Sequence, residues 1–156
     1  MSADVGSKAP DFTLTNQDRQ PVTLSGLKGQ PVVLAFFPAA FSGVCTKELC
    51  TFRDSMGTLG KANAQVFGVS VDTFFTLKAF QDQQQLTFPL LSDFNKKVSK
   101  AYGVLHETWV AHGYKGVSKR AAFVLDGKGI LRYKWVTDSP GNEPPYDEVL
   151  SALGKL

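Results

Sequence analysis

The chain holds two cysteines, Cys45 and Cys50, and both lie in the stretch FFPAAFSGVCTKELC at residues 36–50. A thiolate is a strong nucleophile and a ligand for soft metals, so this pair is where chemistry is first sought. The stretch opens on an apolar, β-rich run and passes through a proline and small residues into helical spacing. Cys45 therefore falls in the first turn of a helix that begins near Ser42 or Gly43. Unpaired backbone N–H groups and the positive end of the helix dipole both favour an anionic sulfur there. That makes Cys45 a candidate nucleophile. Four residues separate it from Cys50. In a regular helix two such Cα atoms stand about 8–9 Å apart, beyond the roughly 7 Å that a disulfide tolerates. The pair cannot bridge while the helix is intact. A permanent structural disulfide is a poor explanation, whereas a bond made in one step of a cycle, after the turn unwinds, fits better. The plainer alternative is that Cys50 is a small apolar residue on the helix face beside Leu49.

Strand and helix patterns alternate around this stretch. PVVLAFF at 31–37 is continuous and apolar, the pattern of a central strand buried on both faces. GVCTKELCTFRDSMGTL at 43–59 changes to helical spacing, with Leu49, Phe52, Met56 and Leu59 on one face. AQVFGVSVD (64–72) predicts a second buried strand, and TFFTLKAFQDQQQ (73–85) a helix capped by Asp72 or Thr73. Upstream, residues 12–15 and 22–24 read as short strands about the polar turn NQDRQP. Downstream, 87–93 is extended or loop, 94–104 a short helix ended by Gly103, and 105–120 an irregular loop without a clear period. AAFVLDGKGILRYKWV (121–136) is a hairpin across DGKG, and 144–156 a closing amphipathic helix with Val149, Leu150 and Leu153 inward. Together these predict an α/β sandwich with a central mixed sheet flanked by helices, expected as a single domain over residues 1–156. The turn before Cys45 then lies at the carboxyl end of a central strand, where open α/β sheets bind their ligands.

A chain of 156 residues, 43% hydrophobic and 20% charged, can bury a core without disulfide staples. The net charge of +3 comes from mixed acids and bases, and the pairs Lys96-Lys97 and Lys119-Arg120 are too short to form a nucleic-acid stripe. No nucleic-acid partner is expected. The N-terminus lacks the apolar core of a secretory signal, and no apolar run nears the length of about 18 residues needed to span a membrane. The expected location is cytoplasmic, with no membrane partner. In that compartment a cysteine pair is more often catalytic or metal-binding than structural.

The segment from Pro38 through Ser42 to Cys45 resembles the peroxiredoxin pattern of proline, three residues, threonine or serine, two residues and cysteine. The spacing to Cys50 is similar to the Q-type members, also called bacterioferritin comigratory proteins. GVSVD, FPLLSD and much of the remaining chain, from APDFTL to the terminal helix, resemble these and the related one-cysteine alkyl hydroperoxide reductases of the E type. The resemblance implies a thioredoxin-like fold and a peroxidase that uses no metal, haem or flavin. Cys45 would attack a peroxide and become a sulfenic acid. Ser42, the backbone N–H groups of Val44 and Cys45, and Arg120 would bind the peroxide, with Arg120 matching the distal family arginine. Pro38 would shield the thiolate, and Glu48 would orient Arg120 unless it is merely a first-turn acid favoured by the dipole. A Cys45–Cys50 disulfide would follow, reduced again by thioredoxin or a glutaredoxin-like dithiol. Such relatives are monomers or homodimers. Serine replaces the commoner threonine at Ser42, which keeps the hydroxyl but loses the methyl that restricts its rotamer.

Four rival readings remain. In the first, Cys50 is a bystander and an external thiol resolves Cys45. A zinc site could be written from Cys45, Cys50, His106 and His112, but the long gap after Cys50 fits no finger spacing. A dithiol reductase normally uses C-x-x-C rather than four intervening residues. Lastly, Phe41, Phe74, Phe75 and Trp109 could form an apolar patch on a non-catalytic binding or chaperone module, which would need neither Ser42 nor Arg120.

Overall fold

The computed structural model describes residues 3–27, 29–55, 63–108, 113–139 and 141–156. In chain order these form β1 (Thr13–Asn16), β2 (Pro21–Thr23), a 3-10 turn (Leu24–Leu27), β3 (Val32–Phe36), α1 (Gly43–Asp54), β4 (Gln65–Ser70), α2 (Phe74–Gln84), β5 (Leu90–Ser92), α3 (Lys97–Ala101), β6 (Leu105–His106), β7 (Val117–Ser118), β8 (Arg120–Leu125), β9 (Leu131–Thr137) and α4 (Tyr146–Gly154). Among the described residues, one sheet runs in the order β2-β1-β5-β4-β3-β8-β9. Strands β3, β4 and β5 are parallel, and the flanking pairs are antiparallel. This is the mixed, helix-flanked sheet expected from the sequence.

The apolar run of β3 is buried throughout because each face meets its own layer. Val32, Leu34 and Phe36 point into a cluster with Phe67, Val69, Tyr102 and Phe123. Val33, Ala35 and Phe37 point the other way, against Leu49 and Phe52 of α1, Leu77 and Phe80 of α2, and Val149 and Leu153 of α4. Period-two alternation in the strand thus selects the helices on each side. Cys45 belongs to the second layer.

The hairpin lies where DGKG predicts it: Asp126 Oδ1 accepts from the N–H groups of Lys128 and Ile130 at 2.9 and 3.0 Å, and Gly129 takes a positive φ of 82°. Thr73, rather than Asp72, caps α2, accepting from the Thr76 N–H. Helix α3 is shorter than residues 94–104 predict. Lys96 adopts φ 65°, which no helix interior permits, so the helix starts after it, and Gly103 follows the end at φ 69°. Residues 105–120 are not wholly irregular: β6 and β7 pair antiparallel within them. Leu24 leaves β2 for the 3-10 turn. Met56 and Leu59, assigned above to the face of α1, lie outside the described residues.

Candidate active site

Strand β3 ends at Phe36, and the chain turns through the buried Phe37 and Pro38 before α1 starts at Gly43. This turn is held from neighbouring elements. The Phe37 N–H donates to the Val69 carbonyl of β4 at 3.0 Å. The Ala40 N–H donates to Asp72 Oδ2 at 2.8 Å, and the same oxygen accepts from the Ser70 hydroxyl at 2.7 Å. Phe41 takes a left-handed conformation (φ 69°) and rests on the Phe80 ring, with centroids 5.1 Å apart.

Ser42 is the N-cap of α1 in extended conformation, and its carbonyl accepts the first helical bond from the Thr46 N–H at 2.9 Å. The N–H groups of Gly43, Val44 and Cys45 precede that bond, so they form the positive end of the helix. The Ser42 hydroxyl donates to the Ala39 carbonyl at 3.0 Å. Cys45 is fully buried.

The arginine arrives from the opposite direction. Because β8 runs antiparallel to β3 in the register Phe36↔Ala121, Arg120 enters the sheet beside the point where β3 gives way to α1. Its Nη1 donates to Cys45 Sγ at 3.2 Å and to Glu48 Oε1 at 2.8 Å. Both the Arg120 and Glu48 side chains are almost wholly buried, at 1% and 0% exposure. Burial pushes the Glu48 carboxyl up to about 8, against the pull of Arg120, and Glu143 adds to the rise. Burial also opposes the charge on Arg120, but Glu48 and Cys45 outweigh it and the guanidinium is held above its ordinary value. Glu143 stands behind this pair, bonded to Lys47 at 3.0 Å and to the Tyr146 hydroxyl at 2.8 Å. Chemically, the arrangement offers a guanidinium and a helix N-terminus to negative charge on a sulfur and on any oxygen brought to it.

Cys50 lies farther along the same helix, half-buried against the second layer, and both cysteines are free thiols. Its Sγ lies 3.5 Å from Gln84 Oε1 at the end of α2. The structure therefore brings Cys45, Arg120 and Glu48 together, with Ser42, Val44 and Pro38 lining the approach to α1, and holds Cys50 apart. His106 sits in β6, while His112 and Trp109 lie outside the described residues. The Phe74 and Phe75 rings meet at a tilt of 48° with centroids 4.4 Å apart, and the Arg19 guanidinium lies over both. Sequence reasoning took Asp72 only as a possible helix cap and passed over Phe80, Gln84 and Glu143. Only Asp72 had a local signal, as an acid directly after a buried strand.

Residues 5–134 match the AhpC/TSA family. This chain is a peroxiredoxin of that family. The peroxiredoxin is 44% identical over 128 residues to chloroplastic peroxiredoxin Q of Triticum aestivum, an alignment covering 82% of this chain and 57% of the wheat protein. It thus spans a little over half the length of that plant relative. It is 42% identical over 133 residues to alkyl hydroperoxide reductase E of Mycobacterium bovis, with 83% of each chain covered. Its fold superposes on the crystal structure of peroxidoxin BcpB from Mycobacterium tuberculosis with a TM-score of 0.87 and 31% identity, over 99% of this chain and 98% of the other. The thioredoxin-like fold implied by the motif is the fold observed. Among the described residues, no helix is long and apolar enough to cross a membrane.

Proposed function

We propose that this peroxiredoxin is a thiol peroxidase for hydrogen peroxide and organic hydroperoxides, working in a reducing compartment such as the cytoplasm. The carrying observation is that one Arg120 nitrogen reaches both the buried Cys45 sulfur (3.2 Å) and Glu48 (2.8 Å) at the first turn of a helix. The Cys45 thiolate attacks one peroxide oxygen in line. A sulfur–oxygen bond forms, the O–O bond breaks, and the departing hydroxide or alkoxide takes a proton to leave as water or alcohol. Arg120 and the N–H groups of Val44 and Cys45 receive the charge that develops on the oxygens. Ser42, whose hydroxyl rests on Ala39, turns it toward the peroxide. Glu48 holds the guanidinium in place, and Pro38 keeps water from the sulfur.

In the second step the Cys50 thiol condenses with the Cys45 sulfenic acid, forming a disulfide and releasing water. Helix α1 is regular from Gly43 to Asp54, so the segment between the two cysteines must unwind first. Thioredoxin or a glutaredoxin-like dithiol then reduces the disulfide. A second reading has its own support: Cys50 is held by Gln84, away from Cys45, as suits a one-cysteine cycle completed by an external thiol.

Intact mass after one equivalent of hydrogen peroxide separates these readings. In the two-cysteine cycle the reduced protein loses about two mass units and Cys50→Ser gains one oxygen. If the wild type keeps one added oxygen, the external thiol is required. No reaction in either protein within minutes overturns the peroxidase reading.

A further inference from the structure

The end of α2 is fastened to α1 at two points, both on Gln84. The Gln84 side-chain oxygen lies 3.5 Å from Cys50 Sγ, and the Gln84 backbone carbonyl accepts from Arg53 Nη1 at 2.5 Å. This carbonyl belongs to the last turn of α2, where no residue continues the helical ladder, and Gln85 ends the helix in a left-handed conformation (φ 52°). A guanidinium is therefore a fitting cap for it. Arg53 and Cys50 are three residues apart on α1 and share one face, so the two contacts act side by side. The positive charge of Arg53 is in turn favoured by its bond to Asp54 and, to a lesser degree, by Cys50.

We infer that Gln84 and Arg53 form a clasp that sets how fast Cys50 is released to meet oxidised Cys45. The inference rests on the two-cysteine cycle proposed above. Unwinding α1 between the cysteines requires Cys50 to leave Gln84 Oε1, while Arg53 on the Gln84 carbonyl anchors the next turn of the helix. Every moment of delay leaves the Cys45 sulfenic acid open to a second peroxide. That peroxide adds another oxygen to the sulfur and departs as alcohol or water, giving a sulfinic acid. Condensation with Cys50 instead breaks the S–O bond, forms the S–S bond and releases water. The clasp therefore decides the division between these two fates, and Gln84 and Arg53 are positioning residues that never touch the peroxide.

The test mixes reduced wild type, Gln84→Ala, Arg53→Ala and Gln84→Glu with a series of hydrogen peroxide concentrations, quenches in acid, and reads intact mass over time. Both alanine sites are half-buried at the surface of their helices, so the variants retain the core. Each alanine variant is expected to form the disulfide about fivefold faster, the effect of one ordinary hydrogen bond. The peroxide needed to convert half the protein to the sulfinic acid, about 32 mass units heavier, rises by a similar factor. The rate of the first oxidation stays within twofold of wild type, which general damage to the site would not spare. Gln84→Glu keeps an acceptor beside Cys50 and is no faster than wild type. Disulfide rates in both alanine variants equal to or below wild type overturn the clasp and leave the cycle standing. First-step rates that change in parallel also overturn it, since the effect is then on the site as a whole. If the wild type makes no Cys45–Cys50 disulfide, the two-cysteine cycle itself fails and the clasp fails with it.

Discussion

At the scale of single residues, the Cys45–Arg120–Glu48 group combines a buried anion-stabilising donor with a carboxyl whose charge burial disfavours. Arg120 presents a rigid planar fork, and one nitrogen serves both partners. A lysine carries the same charge on a single rotatable point and cannot reproduce that geometry. Arg120→Lys is expected to lower the second-order rate of Cys45 oxidation by about a hundredfold, the usual loss when one preorganised donor is removed. Stopped-flow measurement of the thiol reaction decides it, and a loss under threefold would show that Arg120 is structural. Glu48 yields a pH prediction. Its carboxyl moves from 4.5 to about 8 on folding, so between those values the folded chain holds a proton that the unfolded chain has released. Stability from this group is complete below the lower value and is lost as pH rises through the upper one. Glu48→Gln keeps an oxygen for Arg120 and removes the titration. Urea unfolding from pH 5 to 8 should therefore show the wild type losing stability relative to Glu48→Gln. A flat relative stability over that range would mean that Arg120, not burial, governs the carboxyl, which would then be ionised in both states.

At the scale of elements, the site depends on a loop that carries few bonds of its own. The turn between β3 and α1 is pinned by Asp72, which follows β4 and receives the Ala40 N–H at 2.8 Å and the Ser70 hydroxyl at 2.7 Å. The parallel β3–β4 register makes this reach possible, since Phe36 lies opposite Val69 and the two strands end together. Removing the carboxylate leaves the Ala40 amide without its acceptor and lets the first turn of α1 shift relative to Arg120. A displacement of even 1 Å in a reacting group costs up to about a hundredfold in rate. Asp72→Ala is expected to slow Cys45 oxidation about tenfold while the protein remains folded, because Asp72 sits outside both core layers. The discriminating measurement is the peroxide rate together with circular dichroism; an unchanged rate would show that Pro38 and the Phe41–Phe80 contact hold the loop unaided.

At the scale of the whole molecule, what was legible in the sequence follows the range of the interaction. The burial of 31–37, the helix after it and the DGKG hairpin are recorded in local period and turn chemistry, and the motif from Pro38 to Cys45 is contiguous. Arg120 was found through resemblance, and antiparallel pairing of β8 with β3 is the physical reason it reaches a sulfur 75 residues away. The β6–β7 ladder escaped because strands of two residues carry no period. The late start of α3 turns on Lys96 in a conformation that its residue type does not announce. Gln84 acts between two helices, where neither spacing nor composition leaves a mark. The same long-range packing sets the last prediction, on the stability of the oxidised state. Closing the six-residue span from Cys45 to Cys50 constrains the unfolded chain by about 2 kcal/mol. Unwinding α1 far enough to allow the bond withdraws Leu49 and Phe52, now 0% and 2% exposed, from the layer they share with α2 and α4. At about 1.5–3 kcal/mol for each side chain, that loss exceeds the gain. The disulfide form should therefore melt below the reduced form, by several degrees in a protein of this size, contrary to the ordinary effect of a disulfide. Calorimetry of the reduced and peroxide-oxidised protein, with Cys50→Ser as the control that cannot bridge, reads this directly. An oxidised form that melts higher would mean that Leu49 and Phe52 stay packed around the new bond and that only the turn between the cysteines rearranges.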